Sequence, residues 1–179
     1  VDAHAVDAVL IAGDIFDTGA PPSYARELYS DLVVKLHSAG VALLLLGGNH
    51  DSVATLGESR ALLAFLSTTV VGAVGDASAH VVVLPQRGGH GEAGCIVCAV
   101  PFIRPRDVLQ SQAGESAQDK QLGLQTAIQQ HYQQLYGRAC AKRDALGGHL
   151  PIIATGHLTT VGASASESVR EIYVGALEA

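Results

Sequence analysis

The sequence predicts an α/β domain built on a sheet that is parallel in its first half. Along the first 67 residues, short apolar runs that end in glycine alternate with helical patterns. Such strand–helix–strand alternation gives parallel strands joined by right-handed crossovers. The chain has 179 residues, of which 48% are hydrophobic and 16% charged, a globular composition. This length predicts one domain with a sizeable core.

The first half of the chain consists of two strand–helix units. The runs at 6–12 (VDAVLIA) and 41–46 (VALLLL) precede glycine directly and have the pattern of buried strands. Between them, apolar residues spaced three and four apart predict a helix that ends at Gly40. Its expected inward face comprises Ala25, Leu28, Tyr29, Leu32, Val33 and Leu36. A helix after the second strand is expected to turn Leu62, Leu63 and Leu66 inward.

The second half has shorter strands and one long helix. TTVVGAV, HVVVLP and CIVCAVPF are short strands between Gly-rich turns, a pattern typical of an antiparallel or mixed sheet. A long amphipathic helix is predicted from about residue 120 to about residue 145. Its apolar stripe comprises Leu124, Ile128, Tyr132, Leu135 and Ala139. PIIATGH, at 151–157, is a further apolar strand with polar residues at its tip.

Charge and cysteine content narrow the possible classes of protein. The formal net charge of −6 argues against a basic nucleic-acid wrapper, although phosphate can still be held through a metal ion. Three cysteines fit a reducing cytoplasm better than a disulfide framework. Without a leader or an apolar run near 18 residues, we expect a cytoplasmic protein with no membrane span. The chain opens in a strand without Met, and we therefore expect an internal piece of a longer protein.

Polar side chains follow three of the predicted strands, in GDIFD, GGNHD and TGH. The carboxyl ends of parallel strands meet at one edge of a sheet, where ligands bind. We therefore expect Asp14, Asn49, His50 and His157 to gather at one rim. A carboxylate, an amide oxygen and an imidazole suit Mn²⁺, Fe²⁺ or Zn²⁺. The two oxygens of Asp14 could bridge a pair of ions.

These motifs resemble, in the same order, those of the calcineurin-like metallophosphoesterases. The longer stretches AGDIFDTGAPPSYAR, GNHDSVATL, PFIRPRD and PIIATGHLTTVGA are similar to DNA nuclease subunits within that family. The resemblance implies a core of two stacked mixed sheets flanked by helices. It also implies an Mn²⁺-dependent nuclease of DNA repair, recombination and replication, with 3′-to-5′ double-strand exonuclease and single-strand or hairpin endonuclease activity. Its implied partners are DNA, a coiled-coil ATPase and a second copy of itself.

The resemblance also implies roles for individual residues. Asp14 would bridge two metal ions, while Asn49 and His157 would bind the second ion. His50 would contact the scissile phosphate and stabilise or protonate the leaving oxygen during in-line displacement. Asp51 would hold the His50 ring in orientation.

The resemblance implies two further motifs that would lie outside this sequence. They are an Asp-x-His motif upstream of Val1 and a Gly-His-x-His motif beyond Ala179, which would supply most of the remaining ligands. We therefore expect residues 1–179 to be a partial nuclease domain, truncated at both ends. It would hold at most one ion weakly and would have little or no nuclease activity alone.

Other interpretations of the same residues remain open. The metal core would equally serve a phosphatase or a small-molecule phosphodiesterase, and the chain could be a non-catalytic scaffold. Asp14 could cap a turn, Asp51 could cap a helix and His157 could be a buried core histidine. Arg104 and Arg106 lie beside prolines in a stiff turn, and either could contact DNA phosphate.

Overall fold

The fold is an α/β sandwich with two sheets face to face and helices on their outer sides. The computed structural model describes residues 1–89, 91–109 and 116–158. In these ranges each sheet has three strands. The predicted α/β class and two-sheet core are therefore confirmed. Residues 159–179, which the sequence assigns to the same domain, lie outside the described ranges.

The first sheet is parallel and carries the two strand–helix units. Its strands are β1 (Ala8–Ala12), β2 (Ala42–Leu46) and β3 (Thr68–Val71), in that order. The helices between them are α1 (Ser23–Ser38), α2 (Val53–Gly57) and α3 (Arg60–Phe65). The sequence groups TTVVGAV with the antiparallel strands, but β3 pairs parallel to β2. The two short helices form the crossover that makes this pairing parallel.

The second sheet is mixed. β4 (Val81–Pro85) pairs antiparallel with β5 (Ala93–Cys98), and β5 pairs parallel with β6 (Ile152–Ala154). A short helix, α4 (Pro105–Val108), and the long helix α5 (Ala117–Ala145) connect β5 to β6. Ser116 begins α5 with a capping box, since its Oγ accepts from the Asp119 backbone N–H and the Asp119 carboxylate accepts from that of Ser116.

Apolar side chains pack in three layers. Helices α1, α2 and α3 cover the outer face of the first sheet, where Val33, Leu56 and Leu63 meet Leu43 and Leu45. The two sheets meet through small and branched side chains of β2, β3, β4 and β5. Helix α5 covers the outer face of the second sheet with four residues of its predicted stripe, Ile128, Tyr132, Leu135 and Ala139. All the predicted strand tips that carry polar residues lie at one end of this sandwich.

Three leucines that the periodicity places on inward faces are exposed instead. Leu28 and Leu32 lie on the outer flank of α1, while Ala25, Tyr29, Val33 and Leu36 pack against the sheet. Leu62 is exposed on α3, where Leu63 is the buried residue. A helix on a flat sheet buries a narrower stripe than the full apolar face of these sequences, so the remaining apolar residues face outward.

A buried histidine pair lies where α5 crosses the second sheet. The rings of His80 and His131 are 5.9 Å apart, edge to face, and His80 Nε2 accepts from the Gly75 backbone N–H at 3.2 Å. His80 Nδ1 and His131 Nε2 are buried with no hydrogen-bond partner among the described residues. Burial lowers the pKa of both imidazoles. At His80 the neighbouring His131 ring lowers the pKa further, although the Asp76 carboxylate opposes this.

We expect the fold to lose stability as the pH falls through about 6.5. The unfolded chain, with ordinary histidine pKa values near 6.5, binds protons there that the folded pair resists, so acid favours unfolding until the lowered folded pKa values are passed. Urea unfolding at a series of pH values measures this effect. His131→Leu should flatten the dependence, because it removes one of the two groups whose pKa is lowered by folding. An equal slope in His131→Leu would contradict this assignment.

No helix in the described ranges is long and apolar enough to cross a membrane.

Candidate metal centre

Three side chains that the sequence predicts as metal ligands converge at one end of the sandwich. His157 Nε2 lies 2.8 Å from Asn49 Oδ1 and 3.4 Å from Asp14 Oδ2. Asp14 follows β1 and Asn49 follows β2 in the first sheet, whereas His157 follows β6 in the second. Donor atoms from both sheets therefore meet in one place.

The turn after β1 allows the His157 side chain to approach the backbone closely. Gly13 and Asp14 both have positive φ angles, of 101° and 49°, so the chain reverses sharply as the strand ends. A left-handed conformation is unfavourable for a residue with a side chain and is typical of functional sites. A Cβ on Gly13 would overlap the imidazole of His157. Glycine at this position therefore allows the histidine of the second sheet to reach the first.

The turn after β2 packs directly against Asp14. Asp14 Oδ1 accepts a hydrogen bond from the His50 backbone N–H at 3.2 Å. A Cβ on Gly48 would overlap the backbone nitrogen and the carboxylate of Asp14. The Asp14 side chain thus joins two loops instead of merely capping its own turn.

Asp51 holds the same two loops together from the buried side. The residue is only 5% exposed, and its carboxylate accepts three backbone hydrogen bonds, from Gly48 at 2.8 Å, Phe16 at 3.0 Å and Ile15 at 3.1 Å. The alternative role as a helix cap falls to its neighbour, because Ser52 Oγ accepts from the Thr55 backbone N–H at the start of α2.

The His50 ring contacts a backbone carbonyl. Its Nδ1 lies 2.8 Å from the backbone carbonyl of Asp17, and the Asp51 carboxylate is instead committed to backbone N–H groups. Among the described hydrogen bonds, the Asp17 carbonyl and not the Asp51 carboxylate contacts the ring, and the expected role of Asp51 in orienting His50 stays a prediction. A carbonyl only accepts, so Nδ1 donates in this hydrogen bond.

The first sheet fixes the orientation of the His157 ring. Its Nδ1 lies 2.9 Å from the backbone carbonyl of Ala12, which again requires Nδ1 to donate. Metal-binding histidines commonly donate one ring N–H to a carbonyl, which frees the other nitrogen for the ion. The other ring nitrogen here, Nε2, is the atom that faces Asp14 and Asn49.

Helix α5 and strand β5 support the turn that carries His157. The Tyr132 hydroxyl donates to the Thr155 carbonyl at 3.1 Å, and Thr155 Oγ1 donates to the Cys98 carbonyl at 2.8 Å. Burial raises the pKa of Tyr132 above its ordinary value of 10.0, which keeps the donor protonated. The sequence places Tyr132 on the core stripe, and nothing in its local pattern indicates this contact.

The two arginines expected near DNA have different environments. Arg106 is exposed on α4, with Nε 3.9 Å from an Asp107 carboxylate oxygen. Arg104 is half-buried, and its Nη2 donates to the backbone carbonyl of Asp51 at 3.4 Å. The exposed surface that a phosphate contact requires is therefore found at Arg106 more than at Arg104.

The donor set fits a divalent ion that accepts mixed oxygen and nitrogen ligands. Within the described ranges, no group of three or more His, Cys, Asp or Glu side chains is arranged to hold a metal. The Asn49 amide oxygen completes the set formed by the Asp14 carboxylate and the His157 imidazole. Such a combination suits Mn²⁺, Fe²⁺ or Zn²⁺ more than an all-thiolate or all-carboxylate cluster would.

Comparison with known families agrees with this chemistry. The family described as calcineurin-like phosphoesterase matches residues 1–164. The chain belongs to this family. The chain is 55% identical over 176 residues to the D subunit of the nuclease SbcCD of Escherichia coli (strain K12), a match that covers 98% of this chain and 42% of that protein.

Two relatives with the same name and lower sequence identity match this chain over a similar length. The SbcCD D subunit of Rhodobacter capsulatus is 32% identical over 97% of this chain and 43% of its own length. That of Bacillus subtilis is 24% identical over 95% of the chain and 41% of its length. The phosphoesterase chain thus spans about two fifths of the curated relatives that it matches.

Proposed function

We propose that this chain forms the metal-binding part of an Mn²⁺-dependent DNA nuclease. The observation that carries the proposal is the convergence of Asp14, Asn49 and His157 from two sheets, in a chain 55% identical to a nuclease subunit. We assign to the whole protein 3′-to-5′ double-strand exonuclease and single-strand or hairpin endonuclease activity.

Each residue of the site then has a role in phosphodiester hydrolysis. Asp14, Asn49 and His157 would hold a divalent ion, which polarises the phosphodiester and lowers the pKa of a coordinated water. His50 is held by the Asp17 carbonyl through Nδ1, so its Nε2 can meet the leaving oxygen. We propose that a second ion takes further ligands from outside the described residues.

Substrate comparison with matched histidine variants tests this function. The whole protein, purified and supplied with Mn²⁺, should degrade duplex DNA and leave p-nitrophenyl phosphate nearly untouched, and EDTA should abolish cleavage. His157→Ala should weaken Mn²⁺ binding at least ~10-fold, whereas His149→Ala, at an exposed histidine, should not.

The alternatives predict different outcomes. Preferential turnover of p-nitrophenyl phosphate would identify a phosphatase. Mn²⁺ binding without turnover of either substrate would identify a scaffold.

We further propose that the protein acts on DNA with an SbcC-type ATPase. The support is the name of its relatives, which are subunits of an SbcCD complex. Co-purification of the protein with its SbcC-type subunit would establish the assembly.

We also propose that the protein forms a homodimer through the outer faces of α1 and α3. These helices cover the same face of the first sheet, and a hydrogen bond of 3.4 Å between Ser67 and His37 joins their carboxyl-terminal ends. Large apolar side chains are exposed on both helices. They are Tyr24 (73%), Leu28 (70%), Leu62 (60%) and Phe65 (79%). Such a surface on a folded domain marks an association site.

Charge placed in this surface should separate the dimer. We expect Leu28→Asp to shift the mass measured by light scattering from two copies to one, because a carboxylate opposes burial of the apolar face. Asp31→Asn, on the same helix, should not change the mass. A monomeric parent protein would contradict the proposal.

A further inference from the structure

The loop that follows β5 crosses from the second sheet to the first beside the metal site. The Phe102 backbone N–H donates to the Gly47 carbonyl at 2.7 Å, which ties this loop to the end of β2. The Phe102 ring lies edge to face against the His157 ring, with centroids 6.0 Å apart. One residue of this loop thus touches both the backbone before Asn49 and the imidazole that faces it.

The next arginine along the loop extends the same contact. The guanidinium carbon of Arg104 lies 5.8 Å from the centroid of the Phe102 ring, within the range of a cation–π interaction. Its Nη2 donates to the Asp51 carbonyl, and Asp107 fixes its backbone by accepting from the Arg104 N–H at 3.3 Å. The side chain therefore connects the turn after β2 with the ring that supports His157.

The positive charge of Arg104 is partly removed from solvent, which is unfavourable. Its Nη1 is buried and has no hydrogen-bond partner among the described residues. A half-buried charge with an unpaired donor costs stability. Side chains held at such a cost are commonly those that a functional site requires.

We propose that Phe102 and Arg104 are positioning residues that fix His157 against the turn carrying Asn49 and Asp51. The proposed ligands come from two sheets. The Phe102 ring contacts His157 of the second sheet, and Arg104 contacts both that ring and the turn after β2 in the first sheet, so these two side chains join the ligand turns. Truncation of either side chain would let the turns separate and would widen the metal site. The inference rests on the proposed function, because the geometry that it protects is that of the ion.

A pair of arginine variants tests the proposal within one loop. Arg104→Met and Arg106→Met each remove one positive charge, but Arg106 has a side chain that is 79% exposed and touches neither ligand turn through any hydrogen bond described. Mn²⁺ titration of the purified protein should show ~10-fold weaker binding in Arg104→Met and unchanged binding in Arg106→Met. Phe102→Leu should weaken binding similarly, and Arg104→Lys should restore part of the loss.

The outcomes separate positioning from direct contact with DNA. Equal Mn²⁺ affinity in Arg104→Met and the parent protein, with DNA affinity lowered in a salt-dependent way, would overturn the proposal in favour of a phosphate contact. If Arg104→Met does not fold by circular dichroism, Phe102→Leu decides, and unchanged Mn²⁺ affinity there overturns the proposal. Absence of Mn²⁺ binding by the parent protein would instead contradict the proposed function itself, and the positioning role with it.

Discussion

Substitution of Gly48 by alanine should abolish most metal binding. A methyl group there would overlap the backbone nitrogen and the carboxylate of Asp14, so the Asp14 turn must move away from Asn49 and His157. We expect Mn²⁺ affinity to fall by about 100-fold, since a displaced ligand costs at least as much as a lost supporting contact. Calorimetric titration with Mn²⁺ measures this directly.

A second glycine provides the matched control. Gly137 lies in α5, and no heavy atom is within 4 Å of the place where an added methyl group would sit. Alanine there should leave Mn²⁺ affinity unchanged and stabilise the helix by about 0.5–1 kcal/mol. Asp14→Ala removes the carboxylate without any overlap and should match the loss in Gly48→Ala. Retained affinity in a folded Gly48→Ala protein would contradict the close packing of the two turns.

Substitution of Asp51 by alanine should cause a large loss of stability. The change leaves three backbone N–H groups, those of Ile15, Phe16 and Gly48, without their common acceptor. Unsatisfied buried donors cost enough to lower the free energy of unfolding by about 3 kcal/mol or more. For a domain of this size the midpoint of thermal unfolding should fall by about 6–12 °C.

We attribute this loss of stability to the three hydrogen bonds that the Asp51 carboxylate accepts, and not to its charge alone. Asp31 is exposed on α1, and Asp31→Ala should change the free energy of unfolding by less than about 0.5 kcal/mol. Asp51→Asn keeps one oxygen and should give an intermediate loss. A thermal midpoint for Asp51→Ala within a degree of that of Asp31→Ala would show that the three bonds contribute little.

The sequence predicts the strand tips well because two local signals coincide at each of them. An apolar run ends, a glycine follows and a polar residue comes next, in GDIFD, GGNHD and TGH alike. Since parallel strands share one edge, such local patterns bring Asp14 and Asn49 together. His157 joins them from the second sheet, and the stacking of the two sheets is not specified by any local pattern. Whether these side chains bind metal is still a prediction.

The supporting contacts could not be read from local patterns. Asp51 bonds to backbone groups 35 and 36 residues away, and a carboxylate before a helix looks the same whether it caps that helix or another loop. An arginine next to proline predicts an exposed turn. The inward orientation of the Arg104 side chain depends on the position of the Phe102 ring, which the local sequence does not specify. The exposure of Leu28 and Leu62 depends on how wide a stripe the sheet covers, which periodicity does not specify.

The three proposed metal ligands come from opposite layers of the sandwich, Asp14 and Asn49 from one sheet and His157 from the other. Anything that engages all three at once binds the assembled form and not its separated halves, so by mass action it shifts the folding equilibrium toward assembly. Metal binding and the packing of the two sheets against each other are therefore thermodynamically linked, so that each favours the other.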